Sequence, residues 1–368
     1  MKFKAAVLHK SGQELVVEDI EAGPLKSGDV LIRLCASGLC HTDLEVIQGS
    51  IRYPMPIVLG HEGAGVVEAV GEGVTLVKPG DHVVCSWNPY CGHCFYCDQD
   101  KPILCEQFGA TEPKGHLLDG TSRLTVGGEK LHHYSVVSSH AQYCIVPQTG
   151  AIPVPKEISF DRACLIGCGV MTGVGAVTKV AQVSVGDSVV VIGCGTVGLN
   201  VLQGARLVGA ELIIGVDVRP EKLKKALQFG ATHTVNAAEE DAVEAVRALT
   251  QGRGADNSIE AGGNEKSFQL ALEVARPGAK VVILGKTDFE SFVSFRFGSL
   301  LGEKQITRSS YGGARPRQDF PLLARLYLDG KLMLDELIER RLDLSEINDG
   351  FTEMRAGSLL RAVVLLDG

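Results

Sequence analysis

Three glycines caught between an apolar run and an amphipathic one constrain this chain more than any other feature. Gly193-Cys194-Gly195-Thr196-Val197-Gly198 has the spacing G-x-G-x-x-G. It follows the strand-like run Ser188–Ile192 and opens a stretch of helical periodicity that lasts to about Gly209. A second apolar run, Leu212–Val216, then ends in Asp217, and another helical stretch covers roughly 220–229. Alone the glycine spacing is weak; between a strand and a helix, with an acidic residue ending the next strand, it predicts a dinucleotide site. Gly193 permits the tight turn, Gly195 lets a pyrophosphate approach the backbone, and Gly198 lets the helix lie close on its strand. The helix N-terminus offers N–H groups and partial positive charge to the phosphates. Asp217 is expected to hydrogen-bond the ribose hydroxyls and to repel a 2′-phosphate, which favours NAD over NADP. A further strand at Val281–Gly285 completes the alternation of a parallel sheet covered by helices.

Seven other residues fall into two metal-ligand sets. Cys91, Cys94, Cys97 and Cys105 are spaced C-x2-C-x2-C-x7-C within one loop. Four thiolates with no vacancy make a closed, structural zinc site. The rival is an iron–sulfur cluster, whose bacterial runs also begin C-x2-C-x2-C but close with x3-C-P. Here Glu106 follows the last cysteine after a longer gap, so zinc is the expected ion. The second set is scattered: Cys40 in Gly-Leu-Cys-His-Thr-Asp, His61 in Gly-His-Glu-Gly, and Cys168 in Gly-Cys-Gly. Each alone reads as a buried small or core residue. Together, two thiolates and one imidazole leave a fourth position on zinc open to a ligand.

Residues 1–165 carry short β-branched runs such as Val30–Leu34, Gly65–Val70 and Asp81–Cys85, punctuated by glycine and proline, which reads as a compact β domain. Thr125–Lys130 reads as a hairpin, Gly127-Gly128 supplying positive φ at both turn positions. Residues 86–120 show little periodicity and need a staple. The tail carries a helix near Phe320–Asp329 and a strand at Arg361–Leu366. Net charge is −8 with both signs interspersed, which argues against a general binder of nucleic acid or anionic membrane. The N-terminal apolar run of four residues is too short for a signal-peptide core, and no apolar stretch approaches the ~20 residues of a span, so a cytoplasmic location is expected. Without a leader, eleven cysteines read as metal ligands and packing residues (Cys35, Cys85, Cys144, Cys164, Cys194), not disulfides.

The surroundings of the second set resemble zinc-dependent medium-chain alcohol dehydrogenases, and the resemblance covers nearly the whole chain. Gly38–Asp43, Gly60–Val67, the four-cysteine lobe, Gly167–Gly173 and the Gly193 fingerprint occur in family order and spacing. Asp119–Leu124 and Leu131–Tyr134 look like the animal-and-plant-type branch, which includes glutathione-dependent formaldehyde dehydrogenases (class III). The resemblance implies an α/β architecture: a GroES-like catalytic domain over 1–169 with a structural-zinc lobe at 86–120, a doubly wound Rossmann domain over 170–310, and a return to the catalytic domain over 311–368. It implies two zinc ions per chain, catalytic on Cys40, His61 and Cys168 and structural on the lobe cysteines. Asp43 matches the carboxylate that orients the ligand imidazole, Glu62 a carboxylate assisting ligand exchange, and Thr42 the hydroxyl that takes the alcohol proton. Thr172 and Val197 match the nicotinamide pocket; Lys222 and Arg361 match basic contacts to the adenosine end and the pyrophosphate. His41 stands where many relatives carry the arginine that touches the pyrophosphate, and Glu45 where many carry the histidine that ends the proton relay.

Relatives acting on the glutathione–formaldehyde adduct carry an arginine where this chain has Gly109, and acidic residues where it has Ser50–Pro56, so the adduct is not the expected substrate. Trp87 and Ile51 fall on positions that line the substrate channel. The expectation is therefore reversible, NAD-dependent oxidation of primary, aromatic or allylic alcohols to aldehydes, by a homodimer. The alternatives are a thiol-dependent formaldehyde dehydrogenase and an oxidoreductase that keeps its NAD bound.

Overall fold

The computed structural model describes residues 1–288 and 290–366. The chain divides into two units, one of Met1–Cys168 with the chain from Arg315 onward, the other Gly169–Ala314. The second border lies a few residues beyond the expected 310. Residues 311–314 stay with the second unit because Tyr311–Gly313 packs on Met171–Gly175. There Gly175 and Gly312 approach so closely that a Cβ on Gly175 would strike the Gly312 carbonyl.

The first unit holds two sheets. The smaller runs, in order, Glu129–Lys130, Leu124–Val126, Val16–Ala22, Lys2–Leu8, Ile57–Val58 and His132–His133. Its Gly127-Gly128 hairpin turn has φ of 56° and 84°, as the type I′ geometry requires. The larger sheet is built around Asp29–Gly38, which pairs antiparallel with Glu62–Val70 on one side and with Tyr143–Pro147 and Ala362–Leu365 along the other. Along Asp29–Gly38 the residues Val30, Ile32 and Leu34 are buried while Leu31, Arg33 and Cys35 are only partly so, the period of two expected of a strand with one face inward. They join Leu39, Leu44, Ile57, Leu59 and Val83 in the main core.

Register, not chain proximity, builds the business end of this sheet. Gly38 pairs with Glu62 and with Val363. Cys40 leaves the central strand at the point where His61 enters one neighbour and Arg361 the other. Phe160–Leu165 and the wide turn Ile166–Val170 carry Cys168. Gly167 allows that approach: a Cβ there would lie 2.9 Å from the Cys85 carbonyl.

The helical run Phe160–Ala181 is 22 residues long and apolar enough to cross a membrane by length and composition. This corrects the expectation that no stretch approaches such a length. The run is 72% buried over its most apolar window, which marks it as a core helix. Lobe residues 86–120 hold only short helical turns, Phe95–Asp98, Pro102–Leu104, Glu106–Thr111 and Glu112–Lys114.

The second unit carries six parallel strands: β1 Ser188–Ile192, β2 Leu212–Asp217, β3 His233–Asn236, β4 Ala255–Glu260, β5 Ala275–Ile283 and β6 Gln305–Arg308. Their order is β3-β2-β1-β4-β5-β6. That is the doubly wound order, with its switch point beside β1, where ligands bind at the carboxyl ends of the strands.

Candidate active site

At the carboxyl end of β1, Gly193 takes φ of 91°, a conformation open to glycine at little cost. A Cβ on Gly198 would strike the Gly193 carbonyl, while a Cβ on Gly195 would meet nothing within 4 Å. The three glycines thus serve a turn, an open approach at the start of helix Thr196–Leu207, and close helix–strand packing. Asp217 is half-buried at the end of β2. It accepts the N–H of Cys194 at 2.8 Å, of Val218 at 2.8 Å and of Arg219 at 3.1 Å, so it is fixed against the glycine loop. Val197 is half-buried on the first turn of the same helix, Thr172 half-buried on Met171–Gly175, and Lys222 half-buried on Pro220–Gln228.

In the lobe, the Sγ atoms of Cys91, Cys94, Cys97 and Cys105 all lie within 4.8 Å of one another. Cys91 and Cys97 sulfurs are 4.0 Å apart. Tetrahedral zinc with Zn–S near 2.3 Å places its sulfurs about 3.8 Å apart. The spacing fits a single ion and leaves no room for an iron–sulfur core. Backbone N–H groups of Cys91 and Glu106 point at the sulfurs of Cys105 and Cys94, at 3.3 and 3.4 Å, as thiolates require. Backbone donors from Glu106 and Cys97 hold the Cys94 thiol down to about 6, while burial pushes Cys97 up to about 12. The set shares protons that a divalent cation would replace.

Cys40, His61, Glu62 and Cys168 form the second cluster, their ligand atoms also within 4.8 Å of one another. Cys168 Sγ lies 3.3 Å from His61 Nε2. The other ring nitrogen, Nδ1, is 3.1 Å from Asp43 Oδ1. The carboxylate fixes the tautomer: Nδ1–H donates to Asp43 and the Nε2 lone pair faces the thiols. Asp43 also accepts the N–H of Gly60 at 3.2 Å and of Cys40 at 3.2 Å, so one carboxylate clamps both ligand-bearing loops. Burial pushes the Asp43 carboxyl up, but His61 and His140 outweigh it and hold it at about 2. The Cys40 thiol is held below its ordinary range by the Cys168 hydrogen bond against burial, and Cys168 is pushed above it, so the pair shares one proton.

Glu62 is fully buried. Gly38 makes the room, since a Cβ there would strike its carboxylate. One oxygen accepts from Arg361 Nη1 at 3.0 Å; the other has no hydrogen-bond partner among the described residues. Burial pushes this carboxyl up to about 8 even with Arg361 opposing. An orphaned carboxylate oxygen, two thiols and an imidazole within 4.8 Å fit a divalent zinc ion.

Arg361 was expected on the cofactor pyrophosphate. Its guanidinium pairs with Glu62 and donates to the Leu39 carbonyl, and the residue is 4% exposed. Strand register explains it: Arg361 precedes the strand that pairs with Asp29–Gly38. Thr42 is half-buried with Oγ1 3.8 Å from Cys40 Sγ. Glu45 is half-buried one helical turn further on, and His41 is exposed at the start of the same helix, His41–Gln48. Trp87 and Ile51 are half-buried and pack on the core of this unit. Sequence reasoning gave no role to Tyr134, a buried ring set edge-on to His61 with centroids 5.6 Å apart, nor to Tyr53, edge-on to Tyr134 at 5.0 Å. Their only signal was position beside assigned motifs. None of the eleven cysteines is in a disulfide; Cys85 and Cys144 face each other with sulfurs 3.9 Å apart.

The chain matches the family models "Alcohol dehydrogenase GroES-like domain" over residues 26–156 and "Zinc-binding dehydrogenase" over 196–329. It is 40% identical to the S-(hydroxymethyl)glutathione dehydrogenase of Paracoccus denitrificans, over 99% of this chain and 100% of that one. The chain belongs to the zinc-dependent alcohol dehydrogenase family. The dehydrogenase is likewise 40% identical to the NDMA-dependent alcohol dehydrogenase of Amycolatopsis methanolica, over 99% of each. It superposes on the crystal structure of benzyl alcohol dehydrogenase from Acinetobacter calcoaceticus with a TM-score of 0.95, 31% identity and full coverage of both chains. Its cofactors are NAD and two zinc ions, the structural one in the Cys91–Cys105 lobe and the catalytic one at Cys40, His61 and Cys168.

Proposed function

We propose that this dehydrogenase oxidises primary alcohols to aldehydes, reversibly, and that alcohols with an aromatic or allylic body are its best substrates. When bound, zinc supplies the Lewis acidity that makes an alcohol a stronger acid, and NAD accepts the hydride. Thr42, its hydroxyl beside Cys40, takes the alcohol proton. Glu45, three residues on along the same helix, receives it from Thr42 and releases it to solvent. Asp217 and the Gly193–Gly198 turn hold the adenosine ribose and the pyrophosphate, with His41 and Lys222 as additional polar contacts. Thr172 and Val197 flank the nicotinamide.

The observation that carries the substrate reading is the half-buried pair Trp87 and Ile51, packed on the core of the unit that holds the zinc ligands. The same core holds Tyr134, edge-on to His61, and Tyr53, edge-on to Tyr134. A substrate ring buried against side chains of this kind removes roughly 100 Å² of apolar surface from water, about 2.5 kcal/mol or close to 10²-fold in kcat/KM. The adduct named for the Paracoccus relative is a second reading. Against it, Gly109 is exposed and a Cβ there would meet nothing within 4 Å, with no cation at that position to take a glutathione carboxylate. Steady-state kinetics with ethanol, hexanol, geraniol, benzyl alcohol, a secondary alcohol, and formaldehyde with and without glutathione decide between them. Benzyl alcohol is expected to exceed ethanol by about 10²-fold, and Trp87→Ala to cut that margin about tenfold. Turnover of formaldehyde only with thiol would replace this reading by the second.

A homodimer formed through the Rossmann sheets completes the proposal. In its support, β6 lies at the sheet edge with all four residues exposed, and Leu301 nearby is 62% exposed. Sedimentation equilibrium should give twice the 39.1 kDa chain mass.

A further inference from the structure

Behind Asp43 stands a second histidine that the chemistry described so far does not use. His140 is fully buried, and its Nε2 lies 3.8 Å from Asp43 Oδ2, within ion-pair range. That nitrogen has no hydrogen-bond partner among the described residues. On the far side of the ring, His140 Nδ1 is 2.9 Å from Ser37 Oγ, and Ser37 Oγ is 2.7 Å from Ser139 Oγ. Ser37 and Ser139 are themselves fully buried.

The backbone locks this group onto the ligand loop. Ser139 N donates to the Gly60 carbonyl at 2.9 Å, and His140 N to the Leu59 carbonyl at 3.0 Å. Gly60 has φ of 93°, and a Cβ on it would lie 2.6 Å from His140 N and 2.7 Å from His140 Nδ1. The residue before the ligand imidazole is glycine because His140 occupies that space.

One orientation pairs both hydroxyls with the ring and turns its remaining N–H toward the carboxylate. Ser139 O–H donates to Ser37, Ser37 O–H donates to His140 Nδ1, and the Nε2–H of His140 faces Asp43 Oδ2. Asp43 then accepts from His61 on its other oxygen. Burying two imidazoles and a carboxylate in low dielectric is costly unless they are paired, and pairing makes each stiffen the next.

We propose that His140, held by Ser37, is a positioning residue for the catalytic metal: it fixes Asp43, and through Asp43 the Nε2 of His61. Partners of this kind typically contribute 10–100-fold to metal affinity. The inference rests on the assignment of zinc to Cys40, His61 and Cys168. Its test reads metal release rather than turnover, so it fails separately from the substrate reading.

The experiment follows transfer of zinc from the two-zinc protein to a chromogenic chelator, in the wild type, His140→Phe, His140→Gln, Ser37→Ala and the double variant His140→Phe/Ser37→Ala. The lobe ion serves as the internal control. Phenylalanine keeps the ring and its edge contact with Phe351 but removes both nitrogens. Release of the catalytic ion should speed about tenfold in His140→Phe with the lobe ion unaffected, and recover in His140→Gln, whose amide can still donate to Asp43. Ser37→Ala should give a smaller acceleration and add nothing in the double variant, because the two act in one chain. Wild-type release from His140→Phe, equal acceleration of both ions, or additive effects in the double variant would overturn the proposal. If His140→Phe does not fold, Ser37→Ala decides: release at the wild-type rate overturns it.

Discussion

The two cysteine sets solve the same problem, holding a divalent ion, by opposite routes. The lobe set comes from one short loop, its sulfurs partly exposed except for buried Cys105, with backbone N–H groups of the same loop aimed at them. The other comes from three separated segments, with Asp43, His61 and Glu62 fully or almost fully buried. The lobe has no substantial core of its own, so its ion makes its fold. The second site is made by the fold: the register of Gly38 against Glu62 and Val363 sets Cys40, His61 and Arg361 side by side before any ion arrives. A site that makes its fold should govern stability when damaged. A site that the fold makes should govern chemistry.

The hardest blow to this contrast would come from Cys168→Ser. The zinc content should fall from two ions to one, the lobe ion remaining. Loss of Lewis-acid stabilisation worth several kcal/mol should lower kcat/KM on the order of 10³-fold or more. The unfolding midpoint should move little, since Cys168 sits on a helix whose core contacts remain. Metal analysis alongside kinetics checks this, and loss of both ions would show that the two sites are not independent.

Cys97→Ser tests the converse. Loss of a structural metal belongs to the large destabilising mechanisms, so unfolding of the first unit should be favoured by on the order of 4 kcal/mol, with the loop from Cys91 to Cys105 becoming a protease target. The activity of molecules still folded at 25 °C should stay within about threefold, because local damage remote from a site seldom couples strongly to it. If the catalytic ion is lost as well, the lobe supports the open site and the contrast collapses.

The same difference decides what could be read before any coordinates. The lobe was legible from spacing alone, because its ligands are neighbours in sequence. The glycine turn was legible for the same reason: Gly193, Gly195 and Gly198 each do a local job. Cys40, His61 and Cys168 could be joined only by the family resemblance, since nothing local says that three distant segments meet. Arg361 shows the same limit: its pairing with Glu62 follows from strand register, which no local stretch of sequence reveals. Tyr134, Tyr53, Ser37 and His140 were invisible as functional residues because an aromatic or serine in a β-rich segment looks like any core residue. The helix Phe160–Ala181 was missed as a long element because Gly167, Gly169, Gly173 and Gly175 interrupt its periodicity; Gly167, Gly173 and Gly175 each sit at a close approach that tertiary packing rewards.

The smallest effect sharpens the comparison through pH. His133 is fully buried at the root of the lobe, its N–H donating to the Gly115 carbonyl at 2.8 Å. Its Nε2 accepts the Arg123 N–H at 3.2 Å. Burial, helped by the Arg123 charge, pushes the imidazole down to about 3. In the unfolded chain it titrates near 6.5. As pH falls below that value, the unfolded chain takes up a proton that the folded one refuses. The stability His133 confers is complete above pH 6.5 and drains away towards pH 3, at up to about 1.4 kcal/mol per pH unit. His133→Gln keeps an acceptor for Arg123 and cannot titrate. Urea unfolding of the two proteins should therefore run parallel at pH 7–8 and converge or cross between pH 6 and 5, where only the wild type loses this increment. Because His133 ties the strand beneath the lobe to Gly115, the substitution should also slow acid release of the lobe zinc and leave release of the catalytic zinc unchanged. Equal slowing of both would mean that acid attacks the first unit as a whole, and that the two metal sites differ in sequence locality but not in what holds them.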